Sequence, residues 1–477
     1  MSSIFAEILE TRNPWWFQNK AVVPETKRIL VDLLSEKKEK ILVLLGPRQT
    51  GKTTILLQYA NDRSDIENVI YVPVDSLIMY SENPIIDAVR YFENYYLKSR
   101  IEEKKCILIF DEVHFDPNWG LEIKALIDRI SGRKNVQILI SGSSATMISR
   151  ELQRYLTGRF DVMYVGPLTL AEALDIKYGI KLFEEGFKAY SIFQENKIND
   201  IVEKAEEVLL LITKYRSLIR SEIKRAIFYG FMPEIVAKNL SEWDAINRLS
   251  SYAYVTLMKD IIRVADTIGA ELKKSAKLES MLRILLYNSP RITSYNDIAR
   301  NLGISRDTAE VYFNWLVSTQ LIHKAKNYAK SLAVEEKRRK FKVFSVDVGI
   351  RNAIIYEAPI HRLGGSEEGR ALENIVLSHM LTILKWLNWT SNVRFFWYKG
   401  GREEIDIIMK LGTKIIPIEV KRERDGTVPY IPSRFLIKAG LYDEVTIKRT
   451  VIRIPIEIIL LAIPPTIAKT YLVQRSN

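Results

Sequence analysis

Two kinds of apolar pattern alternate along this chain. Five short runs, Ile41–Leu45, Val69–Asp75, Cys106–Phe110, Val136–Ser141 and Phe160–Val165, are nearly continuous and end in charged or turn residues. Runs of that length without polar alternation predict strands buried on both faces, as in a parallel sheet. Residues 168–288 carry helical spacing instead, interrupted by a charged stretch near 180–206 and by a turn at Tyr229–Glu234. Beyond Arg291 a short helix runs from Ser294 to Gly303. Ser305 then N-caps a longer helix with Ala309, Tyr312, Phe313 and Leu316 as its apolar positions. A hairpin is expected over Leu321–Phe344, then a helix at Gly369–Leu377 and strands at Glu404–Met409 and Ile415–Lys421. The expected organisation is α/β, divided into residues 1–168, 169–288, 289–345 and 346–477.

Composition narrows the classes. A chain of 477 residues is too long for one core. A formal charge of +12 favours a polyanionic partner. The single cysteine, Cys106, lies inside an apolar run, which excludes a disulfide framework and points to a reducing compartment. The start, Met1–Glu7, lacks a signal-peptide pattern. The apolar stretch Ile456–Ile467 is broken by Glu457 and Pro464–Pro465 and is too short to span a bilayer. A cytoplasmic, soluble protein is expected.

Chemistry enters at the end of the first apolar run. Ile41–Leu45 opens into Gly46, Pro47, Arg48, Gln49, Thr50, Gly51, Lys52, Thr53 and Thr54, and a helical pattern follows. This is a phosphate cradle: glycines allow the tight backbone, successive N–H groups face the phosphates, Lys52 adds charge, and the Thr53 hydroxyl can sit on Mg²⁺. Cys106–Phe110 ends in Asp111 and Glu112. Asp111 is expected to hold Mg²⁺ through water, and Glu112 to orient the attacking water as base. The Val136–Ser141 run ends in a polar turn, from which Ser143, or else Ser141, would reach the γ-phosphate or the water. The same turn reads equally well as a helix cap. Together the motifs imply nucleoside triphosphate hydrolysis with ATP and Mg²⁺. The aromatic cluster Asn13–Phe17 reads as a clasp on this core rather than a platform for adenine.

The order of P-loop, acidic strand end, polar strand end, helix, Gly158-Arg159 and strand resembles the AAA+ and STAND-related ATPases, particularly archaeal members. The resemblance implies an AAA+-like P-loop sheet with a helical lid. It also implies that Arg159 reaches a neighbouring subunit's site in trans, with Arg150 and Arg154 as alternatives, and that the chain forms a homo-oligomer such as a hexameric ring.

Helix, glycine-containing turn and capped second helix make the winged helix-turn-helix pattern. From Lys324 to Lys342 there are eight basic residues against Glu335 and Glu336. Arg306, Lys324, Lys326, Lys337, Arg338, Arg339 and Lys340 are the candidate DNA contacts. Asp307 and Glu310 beside Arg306 argue for the other reading, a winged helix used for packing.

Glu373 on its helix, Asp406 on one strand, and Glu419 with Lys421 on the next form a further constellation. Carboxylates would hold a hard cation while Lys421 stabilises phosphorane charge. The spacing resembles the PD-(D/E)xK restriction-endonuclease-like fold, with Ile405 standing where that pattern usually has proline. The whole chain is similar to an archaeal ATPase family whose C-terminal half is a domain of unknown function with that nuclease fold. The resemblance implies a DNA-remodelling or translocating ATPase with a Mg²⁺-dependent nuclease-like domain. The other reading is a STAND-like switch whose nuclease fold is an interaction module.

Overall fold

The computed structural model describes residues 2–36, 41–65, 67–130, 135–143, 154, 160–181, 214–238, 240–256, 275–328, 339–360, 363–386, 393–400, 403–411, 414–418 and 420. Two compact units divide the chain, Met1–Gly166 and Pro167–Asn477.

All five expected strands form in the first unit: β1 (Ile41–Leu45), β2 (Asn68–Pro73), β3 (Cys106–Asp111), β4 (Val136–Gly142) and β5 (Asp161–Tyr164). They make one parallel sheet in the order β2-β3-β4-β1-β5. Every residue of β1 and β3 is buried, which is why these runs show no polar alternation. The insertion of β4 between β1 and β3 brings three carboxyl ends side by side. In open α/β sheets ligands bind outside such ends. One core, including Phe5, Leu9, Val43, Ile70, Leu108, Ile123 and Ile140, packs this sheet against its helices.

The N-terminal aromatics are a clasp on that core. Asn13 Nδ2 donates to the Leu9 and Tyr71 carbonyls, and its Oδ1 accepts from the Tyr71 N–H. Trp16 Nε1 donates to the Val69 carbonyl while its ring stacks among Tyr91, Phe92 and Tyr96. Trp15 is buried, and only Phe17 of the trio is exposed.

The second unit holds β6 (Ile292–Ser294), β7 (Ile322–Asn327), β8 (Lys340–Ser345), β9 (Val393–Gly400), β10 (Glu403–Leu411) and β11 (Lys414–Ile418). They form a six-stranded sheet in the order β11-β10-β9-β7-β8-β6. The hairpin expected at Leu321–Phe344 is β7–β8, antiparallel from Ile322↔Ser345 to Lys326↔Phe341. β10 and β11 run antiparallel, pairing Leu411 with Lys414. Helix Tyr295–Leu302 ends at Gly303, whose φ of 58° suits a C-cap. Ser305 caps helix Arg306–Ser318 by accepting from the Thr308 N–H.

The tertiary structure also joins what the sequence divides. One apolar core runs from Met232 and Leu249 through Leu282, Phe313 and Phe341 to Ile354, crossing residues 288 and 345 without a break. β7 pairs with β9 in parallel, so the hairpin strands belong to the same sheet as the C-terminal strands. The expected lid helices lie in this unit, and most of the charged stretch within 180–206 lies outside the described residues. At Gly230, with φ of 66°, a Cβ would stand 1.9 Å from Asp347 Oδ1. Asp347 there accepts from the Phe231, Gly349 and Ile350 N–H groups. Among the described residues no helix is long and apolar enough to cross a membrane.

Candidate active site

The P-loop joins β1 to helix Lys52–Arg63 through two residues of positive φ, Gln49 at 62° and Gly51 at 89°. Gly46 is needed for a different reason: a Cβ there would meet the Val165 carbonyl oxygen at 2.0 Å. Loop geometry is held from within. Thr50 Oγ1 donates to the Pro47 carbonyl at 2.8 Å, and Arg28 bridges the Thr50 and Gly166 carbonyls at 2.7 and 3.0 Å. Lys52 is buried, with Nζ donating to the Gly46 and Pro47 carbonyls at 3.0 and 2.9 Å. Its ammonium therefore lies inside the ring of amides that would receive phosphate. Thr54 follows half-buried in the first turn of the helix.

Asp111, at the end of β3, is buried and receives three hydroxyls. Thr53 Oγ1 and Tyr71 Oη donate to Oδ2 at 2.7 Å each, and Ser141 Oγ donates to Oδ1. Burial and the Asp111 carboxylate raise the Tyr71 phenol far above its usual range, so it stays a donor. A threonine hydroxyl touching a carboxylate is an all-oxygen donor set, which fits a hard cation such as Mg²⁺.

Glu112 adopts φ of 53°, a conformation unusual for a side-chain-bearing residue. Its N–H donates to Ser141 Oγ at 3.1 Å, and Oε2 lies 3.2 Å from His114 Nδ1. On its other side, the buried His114 ring places Nε2 3.2 Å from Ser143 Oγ and 3.5 Å from Arg48 Nη2. Ser141 therefore touches both acidic residues, whereas Ser143 reaches Glu112 through His114. Neither Tyr71 nor His114 stands in a recognisable motif spacing. A histidine two residues past the acidic pair, in a chain with only four histidines, was the available signal.

In the second unit, Glu373 on helix Gly365–Trp386 is buried and faces Lys342, one of the eight basic residues of the Lys324–Lys342 segment. Lys342 Nζ of β8 lies 2.9 Å from Glu373 Oε1 and 3.5 Å from Glu404 Oε1 of β10. Burial draws the Lys342 ammonium down, but the Glu373, Asp406 and Glu404 carboxylates outweigh it and hold its pKa above the ordinary value. Asp406 Oδ2 accepts from the Val420 N–H at 3.0 Å. Among the described residues no group of three His, Cys, Asp or Glu side chains is arranged to hold a metal.

Two candidate DNA contacts are already engaged. Arg306 pairs with Asp307 and Glu310, and Lys324 Nζ donates to Tyr295 Oη at 2.8 Å over the Tyr295, Phe341 and Phe313 rings. Lys326 lies on β7, while Arg339 and Lys340 are exposed at the start of β8. Arg159, Lys337, Arg338, Glu419 and Lys421 lie outside the described residues.

Residues 38–174 match the AAA domain family. Residues 220–360 and 368–434 match two domains of unknown function, DUF8612 and DUF4143. The Methanocaldococcus jannaschii uncharacterized protein MJ1637 is 25% identical over 451 residues, covering 90% of this chain and 88% of the relative. A Haemophilus influenzae uncharacterized protein is 26% identical over 390 residues, covering 80% and 82%. Among solved structures, the Walker-type ATPase PABY2304 of Pyrococcus abyssi aligns with a TM-score of 0.41 at 14% identity, over 71% of this chain and 99% of that one. The chain thus carries an AAA-type, P-loop ATPase-like domain, with two regions of unassigned family function after it.

Proposed function

We propose that this chain is an ATP-hydrolysing, self-associating ATPase that binds DNA and remodels or translocates on it. One observation carries the catalytic part: Thr53, next to Lys52 at the start of the helix after β1, donates to Asp111, next to Glu112 at the end of β3, at the carboxyl ends of the two strands that flank β4. ATP would bind with its phosphates on the loop amides and Lys52. Mg²⁺ would be held by Thr53 and, through water, by Asp111, and it would supply charge neutralisation at the transferred phosphoryl group. Glu112 would orient the water, and Arg159 of a neighbouring subunit would complete the site.

Support for the DNA-binding reading comes from the basic hairpin and from the β6–β8–β7 strands that accompany helices Tyr295–Leu302 and Arg306–Ser318, which we read as a winged helix. The test is steady-state ATP turnover with and without duplex, forked and single-stranded DNA. Stimulation by one of these forms is expected. Turnover that no DNA changes, with tight retention of nucleotide, would replace the motor with a regulatory switch. That second reading has one observation in its favour: a lysine inside the carboxylate cluster of the nuclease-like half.

A further inference from the structure

Three elements of the second unit meet at one buried ammonium. Lys342 comes from β8, Glu373 from helix Gly365–Trp386, and Glu404 from β10, two residues before Asp406. The Lys342 side chain is 4% exposed, with Nζ 5.9 Å from the centre of the buried Trp397 ring. A lysine so deeply buried stays charged only where carboxylates surround it. β10 shifts register between Ile405 and Ile408, and the Glu404 and Asp406 carboxylates both act on the Lys342 charge.

This is where a restriction-like carboxylate site would bind its divalent cation. A metal at the same oxygens would stand within a few ångströms of a fixed positive charge in a poorly solvated setting, where repulsion is weakly screened. Nor are three acidic side chains arranged around a common ion position among the described residues. Among the described residues, the Lys342, Glu373 and Glu404 cluster does not fit the metal.

We propose that Lys342 replaces the divalent cation at this cluster and serves as an ionic clasp joining β8, helix Gly365–Trp386 and β10. The cluster takes up no Mg²⁺ or Mn²⁺, and the hairpin is tied by charge to the C-terminal strands. The clasp is independent of the ATPase reading, because none of its residues belongs to the P-loop unit.

Two measurements on the full chain test it. Mn²⁺ bound per chain, followed by electron paramagnetic resonance, should be the same for wild type and Glu373→Gln. If Glu373→Gln abolishes one bound Mn²⁺ while Lys342 is present, the cluster is a metal site and the proposal fails. Asp406→Asn asks the same question should Glu373→Gln not fold. The second measurement is thermal unfolding without metal. Lys342→Met strands the Glu373 carboxylate and should lower Tm by about 5–10 °C. Lys342→Met with Glu373→Gln should recover most of that loss, or recover folding if the single variant does not fold. Purely additive losses, or a double variant that stays unfolded, would show that the two groups do not act as a pair and would overturn the clasp.

Discussion

Asp111 and Glu373 are both buried carboxylates at places where metal-assisted phosphate chemistry is expected, yet their neighbours differ in charge. Asp111 is met by the hydroxyls of Thr53, Tyr71 and Ser141, whereas Glu373 is met by the ammonium of Lys342. Hydroxyls orient a carboxylate without neutralising it, so its charge remains available to a cation that arrives with a ligand. An ammonium matches the charge permanently. Similar acids thus suit a cation site in one unit and, as proposed above, a structural clasp in the other. Burial raises the pKa of the Glu373 carboxyl, and the neighbouring Lys342 ammonium opposes that shift.

The strongest way to break this comparison is to remove function from the first site. Lys52→Ala should lose ATP binding. Glu112→Gln should keep ATP binding and slow hydrolysis by roughly 10²–10⁴-fold, read in single-turnover assays with nucleotide affinity measured separately. Normal turnover in Glu112→Gln would remove it as the base.

A third buried group extends the comparison to neutral partners. His379 accepts the Leu170 N–H through Nε2 at 3.0 Å and has Nδ1 3.1 Å from the Ile375 carbonyl, so the neutral ring suits both contacts. Burial lowers its pKa from 6.5 to about 4. Because the folded pKa is the lower one, the contribution is fully present above pH 6.5 and is lost as pH falls through 4. It amounts to about 3 kcal/mol. Denaturant unfolding of wild type and His379→Asn across pH 7 to 4 should converge as pH drops. Parallel curves would show that His379 has no such linkage.

Smaller effects separate the two serines. Ser141→Ala removes a hydroxyl bound to the buried Asp111 carboxylate and should cost about 2 kcal/mol of stability; Ser143→Ala, which removes a contact to the His114 ring, should cost about 1 kcal/mol. Reversal of that order in urea unfolding would mean that the Ser143–His114 contact matters more. The smallest change sharpens the contrast most. Asp111→Asn should alter stability by only about 1 kcal/mol, because Thr53 and Tyr71 can donate to the amide oxygen and Ser141 Oγ can accept from the amide nitrogen, while abolishing Mg²⁺-dependent turnover. A loss as large as that of Lys342→Met would erase the distinction between the sites.

Much of the ATPase-like unit was legible in the order of residues. Short apolar runs can be satisfied only as buried strands, and Gly46–Thr54 between a strand and a helix has few uses besides phosphate binding. The capped helix at Ser305 is likewise local, decided by side chains a few residues apart. Local pattern could not reveal that Ser141, thirty residues beyond Asp111, shares its carboxylate with Tyr71, forty residues before it.

The same limit explains Lys342. By itself the sequence determined the strands, the phosphate loop, the acids and a surplus of positive charge in the hairpin, because each follows from neighbours along the chain. Whether a given lysine in that surplus faces solvent or a carboxylate was decided only when β7, β8 and β9 joined one sheet beneath helix Gly365–Trp386. Charge matching in a buried site depends on distance in space, and packing alone sets that distance.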